Sequence, residues 1–534
     1  MNFLRRLDSN FNKTEENKMR KIDCVLGVDM GTGGARVGIF DLKGNPIVFC
    51  EEPYPLYTPA SGRAEQKPSE WWDSICKASK RAMAESDIDP ACIKGMSVDT
   101  TCCTVVLSGD DMEPLRDAIM WMDVRASEQA KRIYESGHDA LKYNGYGMVS
   151  AECLPAKALW LKENEPETYN KATRFYECTD WLMYKLTGEY TASINCASVR
   201  WYYNNEEGGY PVDFYNTIGL DDLVEKLPER VLPLGELVGG LTEKAAEDMG
   251  LIPGIPVGEG GADAFVGVIG LNAHQPGKLT LITGSSHLHV AQFKDPIHRK
   301  GMWGAYPDAI VPGLRMVEGG QTSTGSIVNW FKNQLCGTVK MQAEKEGCSV
   351  YDILNREAAK LPIGAEGLVA LDFFQGNRTP HVDPDVRGMF YGLSLGHTPA
   401  HMYRAIIESI CYGTEAILEV FREAGFVPKA MVVSGGAAKS DFWLQAHADV
   451  SNCPVVVPKC SEGPVLGSAI LGAVAGGVYP DIDTAAEAMT DVEYTVEPNQ
   501  ERHEEYMFYF EKYKEIYAIA KDWMHSVTNH VTQK

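Results

Sequence analysis

Short apolar runs separated by glycine-rich turns form the same pattern at two places in the chain. The first apolar run, residues 22–28, ends in Asp29, and a glycine-rich turn leads into a second run, residues 37–40. This pattern predicts a β-hairpin. A run at 279–283, a polar turn at 284–286 and a further strand repeat the pattern in the second half. We therefore expect a duplicated domain.

Strand and helix patterns alternate through both halves. A buried strand is expected at 93–98, and helical patterns dominate residues 127–188. In the second half the pattern predicts, in order, a helix at 400–424, a strand at 430–433, a helix from 441, a strand at 455–457 and a Gly/Ala-rich helix at 464–477. This alternation indicates an α/β fold in both halves.

The 534 residues are too many for one hydrophobic core, so we expect two large domains. The expected divisions are a flexible leader (1–21), a first domain (22–272), a second domain (273–490) and a C-terminal helix (491–534). Aromatic residues of that helix are expected to pack on the second domain, with a homodimer surface as the alternative; they are Tyr506, Phe508, Tyr509, Phe510, Tyr513 and Tyr517.

Charge and composition narrow the choice of partners. The net charge of −23 argues against nucleic acid and anionic membranes. No apolar run approaches the roughly 18 residues of a membrane span, and the first 20 residues lack the apolar core of a signal peptide. The 14 cysteines contain no Cys-x-x-Cys pair, which favours free thiols in a reducing compartment. We expect a cytoplasmic protein that binds a small molecule.

The turn of the first hairpin contains the groups of a phosphate site. Its backbone N–H groups and the Thr32 hydroxyl can approach phosphate oxygens. Asp29 stands where Mg²⁺ could be held directly or through water. For a bare Asp-x-Gly, an ordinary hairpin with a solvated aspartate is the alternative. The second Gly-Ser turn and the Asp263-Ala264 pair downstream favour the phosphate site.

Four motifs occur in a characteristic order: the Asp29 hairpin, Gly260-Gly-Ala-Asp263-Ala, the Gly284-Ser285 turn and Ser434-Gly-Gly-Ala-Ala-Lys-Ser440. Together they resemble the FGGY carbohydrate kinases over about residues 22–480 of this chain. The resemblance implies two actin-like/hexokinase-type (ribonuclease H-like) ATPase domains with a cleft between them. Three further segments resemble ribulokinase-like members, particularly the D-ribulokinase group: Trp121-Met-Asp123-Val-Arg125-Ala, Glu318-Gly-Gly-Gln321-Thr-Ser-Thr-Gly325 and Phe373-Phe-Gln-Gly-Asn377-Arg378-Thr-Pro380.

The resemblance implies ATP and Mg²⁺ as cofactors, with Asp29 holding the metal through water. A surface or hairpin-bracing role is the alternative for Arg36, and a simple tight turn is the alternative for the Gly435-Gly436 pair. The residues expected to bind the nucleotide or its phosphates are Asp29, Gly31, Thr32, Arg36, Gly284, Ser285, Gly325, Gly435, Gly436, Ala437 and Ser440.

Asp263 is the expected catalytic base, because it follows a Gly-Gly turn at a strand end and would project into the cleft. A helix N-cap is the alternative for this residue. The alternatives for Trp121 and Asp123 are core packing and an ion pair with Arg125, respectively. Relatives often have Lys where Arg200 stands, and Arg is not an equal substitute. The residues expected to bind a sugar or polyol are Thr100, Thr101, Trp121, Asp123, Arg200, Asp263 and Glu318.

The implied activity is transfer of phosphate from ATP to a terminal hydroxyl of a pentulose, with D-ribulose as the first expectation. Ribitol, erythritol, L-ribulose and xylulose are alternatives, because specificity depends on few contacts. A non-sugar actin-like ATPase is an alternative from another class, and the segments that resemble sugar-binding sites argue against it. A Rossmann oxidoreductase is disfavoured, since its Gly-x-Gly-x-x-Gly fingerprint does not fit the turn after Asp29.

Overall fold

Two seven-stranded sheets lie at the centres of the two halves of the chain. The computed structural model describes residues 19–532, so most of the predicted leader lies outside the described residues. The strands of the first half are β1 (Cys24–Met30), β2 (Gly34–Asp41), β3 (Pro46–Pro53), β4 (Glu65–Gln66), β5 (Ile93–Thr100), β6 (Val105–Ser108), β7 (Ala118–Ile119), β8 (Arg174–Glu177), β9 (Ala192–Ser193), β10 (Val231–Leu232), β11 (Leu237–Gly240), β12 (Pro256–Gly258) and β13 (Gly261–Ala262).

Nine α-helices surround the strands of this half within the described residues. They are α1 (Pro68–Ser86), α2 (Ser127–Glu135), α3 (Leu154–Asn164), α4 (Pro166–Lys171), α5 (Cys178–Thr187), α6 (Ile194–Arg200), α7 (Val212–Thr217), α8 (Glu243–Met249) and α9 (Asp263–Gly270). The first sheet has the order β11-β12-β5-β1-β2-β3, and β13 pairs with β5. Its hairpin β1–β2 is antiparallel, whereas β5 runs parallel to β1, to β12 and to β13.

The second half repeats this arrangement. Its strands are β14 (Lys278–Thr283), β15 (His287–Phe293), β16 (Trp303–Pro307), β17 (Arg315–Gln321), β18 (Val369–Leu371), β19 (Met389–Tyr391), β20 (Ala430–Gly435), β21 (Val455–Pro458) and β22 (Val492–Val496). The sheet order is β16-β17-β15-β14-β20-β21-β22. The hairpin β14–β15 is antiparallel and β20 runs parallel to β14, as β5 does to β1. This shared topology confirms the predicted duplication.

The helices of the second half are α10 (Gly325–Leu335), α11 (Gly337–Glu346), α12 (Val350–Ala358), α13 (Pro399–Glu423), α14 (Asp441–Ser451), α15 (Gly463–Ala475), α16 (Ile482–Met489) and α17 (Gln500–Thr532). The C-terminal segment predicted at 491–534 also contains a short strand ahead of its helix. Residues 492–496 alternate Val, Tyr and Val with polar residues, and they pair as β22 with β21 at the sheet edge. The helix begins at residue 500.

Helix α17 covers the second half, as predicted for its aromatic residues. Tyr506, Phe510 and Tyr513 are buried in the same core as the central strand β14. Phe508 is 59% exposed and does not take part in that packing. Within residues 19–532, no helix combines the length and the apolar character needed to cross a bilayer.

Helix α15 belongs to the second half in sequence, but it packs directly on the first sheet. The contact is a backbone contact, because glycines stand on both sides. A Cβ atom on Gly27 of β1 would lie 2.0 Å from the carbonyl oxygen of Val465, and one on Gly95 of β5 would lie 2.0 Å from that of Gly472. A side chain larger than hydrogen at either glycine would therefore push the two halves apart.

Candidate active site

Three aspartates meet where neighbouring parallel strands end. Asp29 on β1 lies opposite Asp99 on β5, and Gly261 on β13 lies opposite Asp99 on its other side. Asp263 follows β13 as the first residue of α9. The carboxyl ends of adjacent parallel strands are the usual place for a ligand site in a sheet with helical connections. Asp99 is fully buried and Asp29 nearly so, whereas Asp263 keeps partial exposure.

The crowding of these carboxyl groups changes their acidity. Burial raises the pKa of Asp263 to about 7, and the negative charge of Asp29 adds to the rise. Burial also raises the pKa of Asp29, although the Arg36 cation opposes it. Burial together with the charge of Asp29 raises the pKa of Asp99 well above its ordinary value. A carboxyl group whose pKa lies near neutrality is suited to accept a proton at physiological pH.

The first glycine-rich turn is fixed from three sides. The hydroxyl of Tyr54 donates to the carbonyl oxygen of Gly31. The side-chain amide of Gln66 donates to the Thr32 carbonyl oxygen at 2.8 Å, and the Trp121 indole N–H donates to Thr32 Oγ1 at 3.1 Å. Since Thr32 Oγ1 already accepts a hydrogen bond, its own O–H is left to donate to a bound oxygen.

Arg36 lies beside this turn with its side chain 46% exposed. Its Nη1 is 3.3 Å from Asp29 Oδ2 and 3.4 Å from a carboxylate oxygen of Glu462, which belongs to the other half of the chain. These contacts fit the hairpin-bracing alternative. They are also compatible with an anion contact, because an exposed guanidinium has donors beyond those two bonds.

The second glycine-rich turn is built around Gly284 and Ser285. The amide of Gly284 donates to the Ser286 carbonyl oxygen at 2.9 Å, which makes the turn tight. The Ser285 carbonyl oxygen accepts from the amides of Thr324 and Ser326, so helix α10 starts directly beneath the turn. A Cβ atom on Gly325 would lie 2.3 Å from the Gly284 carbonyl oxygen. Gly325 thus supports the turn from below, and Ser285 itself is exposed.

The third predicted turn, at Gly435-Gly436-Ala437, adjoins the second one through Thr283. The amide of Gly436 donates to the Thr283 carbonyl oxygen at 2.8 Å, and that of Ala437 donates to Thr283 Oγ1 at 2.9 Å. Gly435 has φ +90°, and a Cβ atom there would lie 2.2 Å from the Thr283 carbonyl oxygen. Only glycine fits this position without strain. Ser440 caps α14, where its hydroxyl accepts from the Trp443 amide, and its role in nucleotide binding stays a prediction.

Arg200 and Glu318 form a buried ion pair between the two halves. Nη1 of Arg200, at the end of α6, is 2.9 Å from Oε1 of Glu318 on β17, and the Tyr306 hydroxyl donates to the same oxygen. The Arg200 guanidinium also lies 5.3 Å from the centre of the Trp303 ring. A buried Arg–Glu pair with aromatic walls can bind hydroxyl groups through its remaining donors and acceptors.

Helix α6 also connects this pair to Asp263. Asn195, near the start of α6, accepts a hydrogen bond from the Ala262 amide at 3.0 Å, directly before Asp263. Thr100 bonds Thr179 at 2.6 Å, and Thr101 bonds Thr104 at 2.9 Å. Both predicted sugar-binding threonines are buried and have hydroxyl partners within the protein. Both hydroxyls are thus engaged within the protein, and a role of either threonine in sugar binding stays a prediction.

For Asp123 the structure favours the ion-pair alternative. Its Oδ2 accepts from the Ala64 amide at 2.6 Å and from Arg125 Nη2 at 2.7 Å, while Oδ1 accepts from Arg125 Nε at 2.8 Å. Burial alone would raise the pKa of Asp123, but the hydrogen bonds from Arg125 and Ala64 lower it. The carboxylate is fully buried and both oxygens are used. Its role in sugar binding stays a prediction.

Sequence reasoning missed several residues of this site. Asp99 directly follows the buried strand predicted at 93–98, and an aspartate in that place is the same signal that marks Asp29. Tyr306 and Trp303 carry no motif, and only the fold brings them to Arg200. Ser468, whose hydroxyl donates to Asp99 Oδ2, lies 369 residues away in sequence and was read as part of a small-residue helix.

Comparisons with known proteins place the chain in one family. Residues 24–270 match the N-terminal domain, and residues 279–476 the C-terminal domain, of the FGGY family of carbohydrate kinases. The chain belongs to this family, and it is a carbohydrate kinase whose phosphate donor is ATP.

Named relatives extend over most of the chain. An FGGY carbohydrate kinase domain-containing protein from Xenopus laevis is 35% identical, with 93% of this chain and 96% of the relative covered. A ribulokinase from Bacillus licheniformis is 33% identical, with 85% and 87% covered. Among solved structures, a xylulose kinase from Rhodospirillum rubrum superimposes with a TM-score of 0.84 at 25% identity, covering 94% of this chain and 100% of that one. The two-domain ATPase fold expected from the sequence is thereby confirmed.

The contacts of Asp123 generate a prediction about stability. Asp123→Ala should lower the free energy of unfolding by about 3 kcal/mol, the low end for a broken buried pair, because Glu65 remains beside Arg125. The KM for the sugar should change little. Urea unfolding and steady-state kinetics on the same preparation measure both. Glu163→Gln, which removes the exposed partner of Arg132, is the control and should cost less than about 1 kcal/mol. Unchanged stability with a sugar KM raised about 10-fold would instead assign Asp123 to the sugar site.

Proposed function

We propose that this chain phosphorylates a terminal hydroxyl of a pentulose and that D-ribulose is its preferred acceptor. The observation that carries the proposal is the position of Asp263. It stands at the start of α9, beside the Asp29–Asp99 carboxyls on one side and tied through Asn195 of α6 to the Arg200–Glu318 pair on the other. A proton acceptor in that place lies between the first glycine-rich turn and the buried Arg200–Glu318 pair.

The proposed reaction uses Asp263 as the base. Its carboxylate accepts the proton of the sugar hydroxyl while that oxygen attacks the γ-phosphorus of ATP. A new O–P bond forms, the bond between the γ-phosphorus and its bridging oxygen breaks, and ADP leaves. Asp263 then gives the proton to solvent. In such transfers positioning and electrostatic stabilisation supply most of the acceleration.

The two phosphate turns would hold ATP from opposite domains. Exposed Ser285 and the free O–H of Thr32 are the hydroxyl donors, and the N–H groups of both turns add to them. The Gly435-Gly436-Ala437 turn, which adjoins the Gly284 turn through Thr283, would accept the adenosine part. We thus assign nucleotide binding mainly to residues 273–490 and sugar binding mainly to residues 22–272, with Glu318 contributed by the second domain.

The residues present fit a magnesium ion. Mg²⁺ commonly uses one or two carboxylates and completes its octahedron with water and substrate phosphates. Asp29 supplies one carboxylate beside the first turn. Among residues 19–532 no group of three His, Cys, Asp or Glu side chains is arranged as a closed metal site, which agrees with an ion that arrives with ATP. When bound, Mg²⁺ neutralises charge on the phosphates.

The choice of a pentulose rests on the sugar-site segments and on the named relatives. The segment from Glu318 to Gly325 resembles that of ribulokinases, and the Bacillus licheniformis relative carries that name. A xylulose kinase from Staphylococcus epidermidis is 32% identical over 93% of this chain, so D-xylulose is the second candidate. The proposed location is the cytosol, which supplies ATP and keeps thiols reduced; all 14 cysteines are free thiols.

A substrate panel tests the proposed acceptor. ADP release with MgATP is measured against D-ribulose, L-ribulose, D-xylulose, ribitol, erythritol and glycerol. We expect the highest kcat/KM with D-ribulose. A higher value with D-xylulose or a polyol would keep the kinase and replace the acceptor. ATP binding without stimulation by any of these compounds would contradict the pentulose assignment.

Replacing the base tests the role of Asp263. Asp263→Asn should lower kcat by about 10²- to 10⁴-fold, because the amide cannot accept the proton. The KM for MgATP should stay close to that of the unaltered enzyme. Asp213→Asn, the same change in the first turn of α7 with a side chain 81% exposed, should leave kcat unchanged. An Asp263→Asn enzyme with near-normal kcat would remove Asp263 from the mechanism.

The raised pKa of Asp263 predicts the pH profile of the reaction. The base works only when ionised, and its pKa is raised to about 7. The value of kcat/KM should therefore fall about tenfold per pH unit below that point and reach a plateau above it. Rates from pH 5 to 9 at saturating Mg²⁺ measure this limb. The residual rate of Asp263→Asn should lack it, and an acid limb near pH 4 would mean that burial does not govern this carboxyl.

A further inference from the structure

One hydroxyl from the second half reaches the aspartates of the first sheet. Oγ of Ser468 donates to Oδ2 of Asp99 at 2.6 Å, and both residues are fully buried. Ser468 lies in the part of the chain that matches the C-terminal family domain, whereas Asp99 lies in the N-terminal one. This hydrogen bond therefore joins the two domains at the strand that carries Asp99.

The short reach of a serine side chain suffices because the backbones nearly touch. A Cβ atom on Gly467, directly before Ser468, would lie 2.2 Å from the carbonyl oxygen of Val266 on α9. A Cβ atom on Gly472 would lie 2.6 Å from the Cα atom of Met96 on β5. Helix α15 is thus held against both α9 and β5, on either side of Ser468. Its hydroxyl has little freedom to point elsewhere.

Asp99 in turn stands behind Asp29. The two residues are directly opposite each other on neighbouring parallel strands, so their side chains lie on the same face of the sheet. Oδ2 of Asp99 is held by Ser468, while Oδ1 is buried and has no hydrogen-bond donor among the residues that the structure describes. The orientation of the Asp99 carboxyl group, opposite Asp29, therefore depends on one side-chain hydrogen bond, the bond from Ser468.

We propose that Ser468 is a positioning residue that fixes Asp99 and, through it, the Asp29 carboxylate that would bind Mg²⁺ with ATP. The inference rests on the proposed function for the role of Asp29. Neither Ser468 nor Asp99 touches the reacting atoms in this proposal. Their task is to orient an acidic ligand, as groups behind a metal ligand commonly do. The hydrogen bond also makes the metal site depend on how α15 of the second domain is seated.

The test compares two serines that each lose one buried hydrogen bond. Ser468→Ala removes the bond to Asp99, and Ser79→Ala removes a bond of similar length, 2.8 Å, from a fully buried serine of α1 to the Met249 carbonyl oxygen. Both variants should shift Tm by similar amounts. Only Ser468→Ala should weaken Mn²⁺ binding to the enzyme–ADP complex, by about 10- to 100-fold, the range for lost support behind a metal ligand. Electron paramagnetic resonance of free Mn²⁺ measures this.

Steady-state kinetics provide the second readout. For Ser468→Ala, the Mg²⁺ concentration at half-maximal rate and the KM for MgATP should rise, while the KM for the sugar stays unchanged. If Ser468 had only a structural role, its replacement would change all three of these kinetic constants or none of them. Ser468→Cys has a side chain of nearly the same size that is a weaker hydrogen-bond donor, so its Mn²⁺ affinity and kinetic constants should lie between those of Ser468→Ala and the unaltered enzyme. This variant replaces Ser468→Ala in the test if the alanine variant does not fold.

Two outcomes separate this inference from the proposed function. Equal Mn²⁺ affinity in Ser468→Ala, Ser79→Ala and the unaltered protein would overturn the role of Ser468, even if the sugar panel succeeds. No stimulation by any sugar would overturn the proposed acceptor, but the Mn²⁺ titration would still decide whether Ser468 supports the metal site.

Discussion

The backbone contact between helix α15 and the first sheet is the constraint on which the rest of the site depends. Glycines on both sides let the helix lie closer to β1 and β5 than any side chain would permit. Close contact of this kind places a helix of one domain directly behind the strands that end in Asp29 and Asp99. Protein interiors resist small displacements because they are densely packed. The packing of α15 on β1 and β5 therefore fixes the position of the second domain relative to Asp29 and Asp99.

Two buried arginines of this protein each form an ion pair with a buried carboxylate. Arg200 faces Glu318, and Arg125 faces Asp123, each within 3 Å of its partner. Asp99 has no cation beside it: the residue opposite it on the next strand is Asp29, and its hydrogen-bond donor is the Ser468 hydroxyl. Charges removed from water need a partner or a hydrogen-bond donor.

Much of the fold could be predicted from local sequence. Each hairpin consists of neighbouring residues, an apolar run, a glycine-rich turn and a second apolar run, so the sequence alone predicts the duplication and the two glycine-rich turns. The edge strand β22 was missed because its alternating pattern is short and lies next to a long helix. The roles of Asp123 and Ser440 depended on partners: Arg125 lies two residues from Asp123, while Ser440 caps its own helix. No local sequence pattern predicts the roles of Ser468, Trp303 and Tyr306. Their contacts join segments that are far apart in the sequence and meet only in the folded chain.

The hydrogen bond from Trp121 to Thr32 has a further consequence. Trp121 stands in the segment associated with the sugar, and Thr32 stands in the turn associated with phosphate. A ligand that contacts the Trp121 ring would therefore also restrict the Thr32 hydroxyl, which accepts a hydrogen bond from the indole N–H. By thermodynamic reciprocity, whatever the acceptor does to the affinity for nucleotide, the nucleotide does equally to the affinity for the acceptor. The Trp121–Thr32 hydrogen bond is thus a direct physical link between these two segments.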